Sequence, residues 1–120
     1  MTAVFTRGRL RLYLLKLLDD GPKHGYQLIR SLEERFLGSY APSAGTIYPR
    51  LQRMEAEGLV THTAVAGRKV YEITGAGRAE LRQRAGELAT LEQDIAASVA
   101  DLAGLAGQIE NEVRDSARDL

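Results

Sequence analysis

Residues 43–60 read SAGTIYPRLQRMEAEGLV. Ser43 suits the cap of a helix and Gly58 its end, and between them Ile47, Leu51 and Met54 recur at i, i+4 and i+7, the spacing of one buried helix face. The opposite face carries Thr46, Arg50 and Arg53. An apolar back and a cationic front suit a helix pressed against a polyanion, although the same pattern also describes ordinary solubilising charge. Pro49 breaks the local rules, because inside a helix it removes a backbone donor and crowds the carbonyl of Gly45. Either the first turn is distorted or the regular helix begins later than Ser43.

Upstream, RLRLYLLKLL at residues 9–18 puts Leu10, Leu14, Leu17 and Leu18 on one face, a first amphipathic helix that Asp19-Asp20-Gly21-Pro22 ends. A second helix begins near Lys23 or His24 and runs to about Leu37, with Leu28, Ile29, Leu32 and Phe36 at helical spacing. A short breaker-rich turn, Gly38 to Pro42, joins it to the 43–58 helix as in a helix-turn-helix pair.

Downstream, Leu59–Val65 and Arg68–Thr74 flank Ala66-Gly67 and predict a two-stranded hairpin, with Tyr71 and Ile73 on the face that packs against the helices. Arg68 and Lys69 stand at its tip, as contacts or as an edge charge that discourages aggregation. From Gly75 on, Leu81, Leu88, Ile95, Leu102 and Ile109 recur every seventh residue, with Leu91, Val99 and Leu105 widening the stripe. One helix over about 76–116 would be roughly 60 Å long, twice the roughly 30 Å of a small domain. Either it folds back near Gly104 and Gly107, or a second copy of the chain covers the stripe as a homodimer.

The formal net charge is zero, but it is divided: residues 1–78 hold 12 Lys+Arg against 7 Asp+Glu, and residues 79–120 hold 4 against 9. The basic and acidic parts therefore lie in different stretches of the chain. Zero cysteines exclude disulfides and thiolate metal sites. No apolar run reaches the roughly 18 residues of a membrane span, and the N-terminus lacks a signal-peptide core, so a cytoplasmic protein is expected. Nothing resembles a nucleophile with its base, a phosphate-binding glycine loop or a metal constellation, and neither an enzyme nor a resident cofactor is expected.

The expected fold is mainly α with a small β-hairpin: a winged helix-turn-helix DNA-binding domain over residues 1–78 and a long C-terminal dimerisation helix over 79–120. In that plan the third helix enters the major groove, the hairpin is the wing, and a dimer sets two such helices about 34 Å apart. Arg50 and Arg53 can bridge guanine O6 and N7, Gln52 on the flank can read adenine, and Thr46 shares their face. Tyr48 either donates to a phosphate or closes the edge of the core. His24, Gly25 and Tyr26 open the second helix, where free N–H groups favour a phosphate beside Lys23, with His24 as ligand or as cap.

Three stretches together carry a resemblance: His24-Gly25-Tyr26; Pro42-Ser43-Ala44-Gly45-Thr46-Ile47-Tyr48-Pro49 through Leu51 and Glu57-Gly58-Leu59-Val60; and Arg68-Lys69-Val70-Tyr71-Glu72-Ile73-Thr74 with Gly77-Arg78. In this order they resemble the PadR family of bacterial transcriptional regulators over residues 8–80. The resemblance implies a homodimeric winged-helix protein, usually a repressor, released from a pseudo-palindromic double-stranded DNA operator by a small molecule or another signal. It implies that short members end in one long dimerising helix, and that Pro49 belongs to the family pattern. Some members bind flat aromatic drugs between tryptophans of that helix; this sequence has no tryptophan. An apolar or aromatic effector is instead expected near Leu12, Leu15, Leu88 and Leu91, between the first and last helices.

Overall fold

The structure is a computed structural model that describes the backbone at residue 5 and over residues 8–118, and side chains as far as residue 102. Among the described residues the order is α1 (Arg9–Asp19), β1 (Lys23–His24), α2 (Gly25–Arg35), α3 (Ala44–Ala56), β2 (Val60–Val65), β3 (Arg68–Ile73), α4 (Gly75–Gln83) and α5 (Ala85–Arg118). This is mainly helical with a small antiparallel sheet, the winged-helix arrangement expected from the sequence.

Helix α1 is the centre of the core. Its Leu10, Leu14 and Leu18 are buried as the periodicity predicts, but so are Leu12, Tyr13 and Leu15, because α2, α4, α5 and β3 all pack around it. From α3 the core takes Ile47, Leu51 and Met54, and from the sheet Val60, Tyr71 and Ile73. Helix α3 ends where Gly58 turns left-handed at φ 79°, letting the Leu59 N–H reach the Met54 carbonyl at 3.0 Å.

The sheet has three strands in the order β1-β3-β2, not the two the sequence suggested. Lys23 pairs with Tyr71 and His24 with Val70, so the two residues that enter α2 also cover the free edge of β3. Two residues carry no readable strand pattern, and their pairing partner lies nearly fifty positions away. The β2–β3 hairpin has the expected register, with Val65 opposite Arg68. Ala66 and Gly67 both take positive φ, 52° and 78°, as a tight two-residue turn requires.

The single C-terminal helix expected over 76–116 is two helices. Thr74 caps α4 by accepting from the Gly77 N–H at 3.1 Å and donates to the Gly58 carbonyl at 2.6 Å, fixing this helix to the end of α3. The break falls at Arg84, with φ −105° and ψ 24°, and α5 runs without interruption through Gly104 and Gly107. Breaking there lets α4 lie on α1 while α5 turns across it. The Arg84 guanidinium holds the corner, bonding Glu87 at 2.7 Å and pairing with Glu80 at 3.5 Å.

Leu81, Leu91 and Ile95 are consequently buried by their own chain, which corrects their assignment to a dimer face. Leu88 and Val99 pack against the same core and Leu102 is half-buried. The side chains of Leu105 and Ile109 lie outside the described residues. Ion pairs fasten the first turns of α5 to the body: Arg9–Asp94 at 2.6 Å, Lys16–Glu92 at 3.1 Å and Arg35–Glu92 at 3.8 Å. Beyond them the helix projects. The radius of gyration is 17.8 Å, against about 13.6 Å for a compact chain of this length.

Leu12, Leu15 and Leu91 are wholly buried, Leu88 packs beside them, and none of the described cavities reaches them. The space expected for an effector between the first and last helices is filled by these side chains.

Candidate nucleic-acid interface

Helix α3 turns Gly45, Thr46, Pro49, Arg50 and Arg53 outward around a shallow groove of about 280 Å³. Gln52 is exposed beside them. The helix does not begin later than Ser43 suggests, because it is helical from Ala44 onward and takes in Pro49. Ser43 leads in with extended backbone, and its carbonyl accepts from the Thr46 and Ile47 N–H groups at 3.0 and 3.1 Å. The Ser43 hydroxyl caps no backbone N–H and instead meets the Thr46 hydroxyl at 3.3 Å. An interior proline costs a helix about 3 kcal/mol, and a glycine such as Gly45 about 1 kcal/mol more. Both concessions fall on the exposed face.

A second, larger cleft of about 560 Å³ lies between the start of α2, the side of α3 and the tip of the wing, lined by His24, Tyr26, Tyr48, Gly67, Arg68 and Lys69. Sequence-distant candidates thus share one cavity. His24 is the N-cap of α2: its Nδ1 accepts from the Gln27 N–H at 3.2 Å, and the Gln27 Oε1 accepts from the His24 N–H at 2.9 Å. With Nδ1 so engaged, a neutral ring carries its proton on Nε2. That Nε2 lies 3.3 Å from an Arg68 guanidinium nitrogen, so two donors face the same space, which an anion's oxygen can bridge.

Gly25 is explained by Tyr48. A Cβ at position 25 would lie 2.5 Å from the Tyr48 ring and 2.7 Å from its hydroxyl. Only glycine lets the tyrosine close down on the first turn of α2, where it both seals the core edge and lines the cleft. The two roles offered for Tyr48 are therefore compatible.

Lys23 is not at this site. Its Nζ donates to the carbonyls of Leu17 at 2.9 Å and Gly21 at 3.3 Å, at the C-terminal end of α1, where the helix dipole favours a cation. Arg30, which the sequence reading passed over, donates to the Tyr26 hydroxyl at 3.4 Å from one turn further along α2. The i, i+4 spacing from Tyr26 is the signal that would have found it.

Ion pairing separates the cations by location. Arg9, Arg11, Lys16, Arg30, Arg35, Arg78 and Arg84 each have a carboxylate partner. Among the described residues Arg50, Arg53, Arg68 and Lys69 have none, and apart from these four only Lys23 and Arg82 are without one. The outward face of α3 and the tip of the hairpin therefore carry positive charge that no carboxylate among the described residues neutralises.

The model of the transcriptional regulator PadR-like family matches residues 14–83 of this chain. The chain is 36% identical over 104 residues to the transcriptional regulator Rv3488 of Mycobacterium tuberculosis, covering 83% of this chain and 94% of that protein. It is 34% identical over 94 residues to the transcriptional regulator YqjI of Escherichia coli, covering 78% of this chain; there it spans 45%, less than half, of the longer relative. A transcriptional regulator from Clostridium thermocellum shares the fold with a TM-score of 0.64 at 24% identity, over 78% of this chain and 95% of the other. A family model matching more than half of the sequence, together with a relative matched over nearly its full length, establishes that this chain belongs to the PadR-like family of transcriptional regulators.

Proposed function

We propose that this chain is a cytoplasmic repressor that binds a pseudo-palindromic DNA operator as a homodimer and leaves it in response to a small apolar or aromatic molecule. The observation that carries DNA binding is the unpaired set Arg50, Arg53, Arg68 and Lys69, spread over one helix face and one hairpin tip while most other described cations are neutralised. Helix α3 lies in the major groove, with Arg50 and Arg53 on guanines, Gln52 within reach of adenine and Thr46 at the leading turn. Arg68 and Lys69 follow the backbone from the wing, and His24, Tyr26 and Tyr48 take a phosphate in the shared cleft.

Residues 1–78 supply the reading head and residues 79–120 assemble it. Support for the dimer comes from α5, which at 34 residues is about 51 Å long and outruns the body that buries Leu91 and Ile95. The part of the stripe from Leu102 through Leu105 and Ile109 is what a second copy covers. As none of the described cavities reaches Leu12 or Leu15, we place the effector where the second copy covers this stripe.

The test is selection of bound sequences from random duplexes, followed by titration across a salt series. Log affinity should fall linearly with log salt, by about 0.9 per phosphate neutralised. Arg50→Ala or Arg53→Ala should relax base preference, whereas Lys69→Ala should weaken all sequences alike and reduce the salt slope by about 2, one contact per protomer. Failure to enrich any sequence, or an affinity that does not respond to salt, would refute the proposal.

A further inference from the structure

Two residues of α3 have no explanation inside the folded chain, and they are four positions apart. Gly45 sits in helical backbone, and a Cβ there would meet only the Ser43 hydroxyl at 3.6 Å, an ordinary contact. Neither a turn nor a close neighbour asks for glycine. Pro49 is exposed, so its ring fills no gap in the core. The pairing rule of the α-helix connects the two: the N–H of residue 49 would donate to the carbonyl of residue 45, and proline has no N–H. The Gly45 carbonyl has lost its helical donor. The nearby Thr46 hydroxyl does not replace it, being engaged with Ser43 at 3.3 Å.

Both residues line the outward groove with Thr46, Arg50 and Arg53. Carbonyls on the solvent side of a helix tilt outward, and a residue without a Cβ lets another molecule approach its backbone closely. Arg50 and Arg53 are donors only, and suit guanine. Cytosine N4 and adenine N6 present amines in the major groove, which need an acceptor. No free carboxylate of α3 supplies one: Glu55 is bonded to His62 at 2.6 Å, and Glu57, just past the helix, is paired with Arg11 at 2.7 Å, so the acceptor side chain left exposed is the flanking Gln52, outside the groove that Gly45 and Pro49 line.

We propose that the Gly45 main-chain carbonyl, released by Pro49 and left bare by glycine, accepts a hydrogen bond from the exocyclic amine of one cytosine or adenine in each half-site. The proposal rests on α3 being the helix that reads DNA. It gives the two helix-weakening residues one purpose, an acceptor on a face otherwise dominated by guanidinium donors.

The test uses the full chain and an operator selected with it from random duplexes. Each adenine of one half-site is replaced in turn by purine, which lacks the N6 amine, and each cytosine by pyrimidin-2-one, which lacks the N4 amine. For the unaltered protein, one replacement should weaken binding by about three- to tenfold, the worth of one net hydrogen bond. Pro49→Ala restores the N–H that re-pairs the Gly45 carbonyl, and folds at least as well because alanine is the better helix former. It should become indifferent to that same replacement while keeping its discrimination at the guanines and its salt slope. Gly45→Ala places a methyl at the contact and should weaken the unmodified operator by a comparable factor. A Pro49→Ala protein as sensitive to amine removal as the parent overturns this proposal alone. A parent protein that binds no duplex overturns both it and the reading of α3.

Discussion

Placing one methyl group between α2 and α3 measures how the cleft is held. In Gly25→Ala the new Cβ lies 2.5 Å from two Tyr48 ring carbons and 2.7 Å from the hydroxyl, about 1 Å inside normal carbon contact. Either Tyr48 leaves its seat or the first turn of α2 shifts away from α3. Overpacking of this kind costs about 1–3 kcal/mol. Helix propensity pulls the other way, since alanine is favoured over glycine by up to about 1 kcal/mol. The two effects separate in a double-mutant cycle with Tyr48→Ala, read by urea denaturation at one fixed protein concentration. With Tyr48 present, Gly25→Ala should destabilise by about 1–2 kcal/mol; with Tyr48 removed it should be neutral or slightly stabilising. The coupling should exceed the roughly 0.5 kcal/mol within which independent sites add. Equal costs in the two backgrounds would refute the contact and, with it, the explanation of His24-Gly25-Tyr26 as the seat of Tyr48.

Two further substitutions probe the core. Tyr71 is fully buried, and its hydroxyl has no hydrogen-bond partner, so Tyr71→Phe should stabilise the fold by about 1 kcal/mol. Burial, with smaller contributions from Glu55 and Tyr48, pushes the Tyr71 phenol above its ordinary range. Its neutral form is thus favoured in the folded state, and the associated stability is present below about pH 10 and lost as pH rises further. The phenylalanine variant should lose less stability above pH 10 than the parent; identical alkaline profiles would count against this. Ile95→Asp sets a carboxyl in the core, where the lost burial and the desolvation together exceed about 4 kcal/mol, and should abolish the cooperative melt. Leu102→Asp, at a half-buried position on the projecting helix, should keep the melt of the head and sediment as a monomer. A folded, monomeric Ile95→Asp protein would return Ile95 to the dimer face.

Helix α3 was legible because its buried face, its arginines and Gly58 are all local signals, and the hairpin because two β-rich runs flank a two-residue turn. What the sequence concealed was set at long range. The pairing of Lys23-His24 with β3 depends on a segment nearly fifty residues away, and the position of the Lys23 ammonium depends on where α1 stops. The corner at Arg84 carries no proline, the one nearby glycine, Gly86, lies inside the first turn of α5, and the seven-residue repeat runs through it unchanged. Packing of Leu81, Leu91 and Ile95 around α1 bends the chain there. Gly104 and Gly107, the visible weak points, do not break α5, since a glycine lowers helix stability without removing a backbone hydrogen bond. For the site, residue types and faces could be read, but the cleft shared by His24, Tyr48 and Arg68 required three elements to converge.

If the chain binds DNA as proposed, the projecting α5 also affects how it meets a duplex. The chain carries no net charge, so it has little monopole attraction to a duplex at a distance. It has a dipole instead: an excess of five positive charges over residues 1–78 and of five negative charges over 79–120, with much of the latter carried on a helix that extends away from the body. In the field of a polyanion such a molecule experiences a torque before it experiences much pull. Encounters are rotated head-first within a screening length of about 8 Å, so charge governs the productive fraction of collisions more than their number.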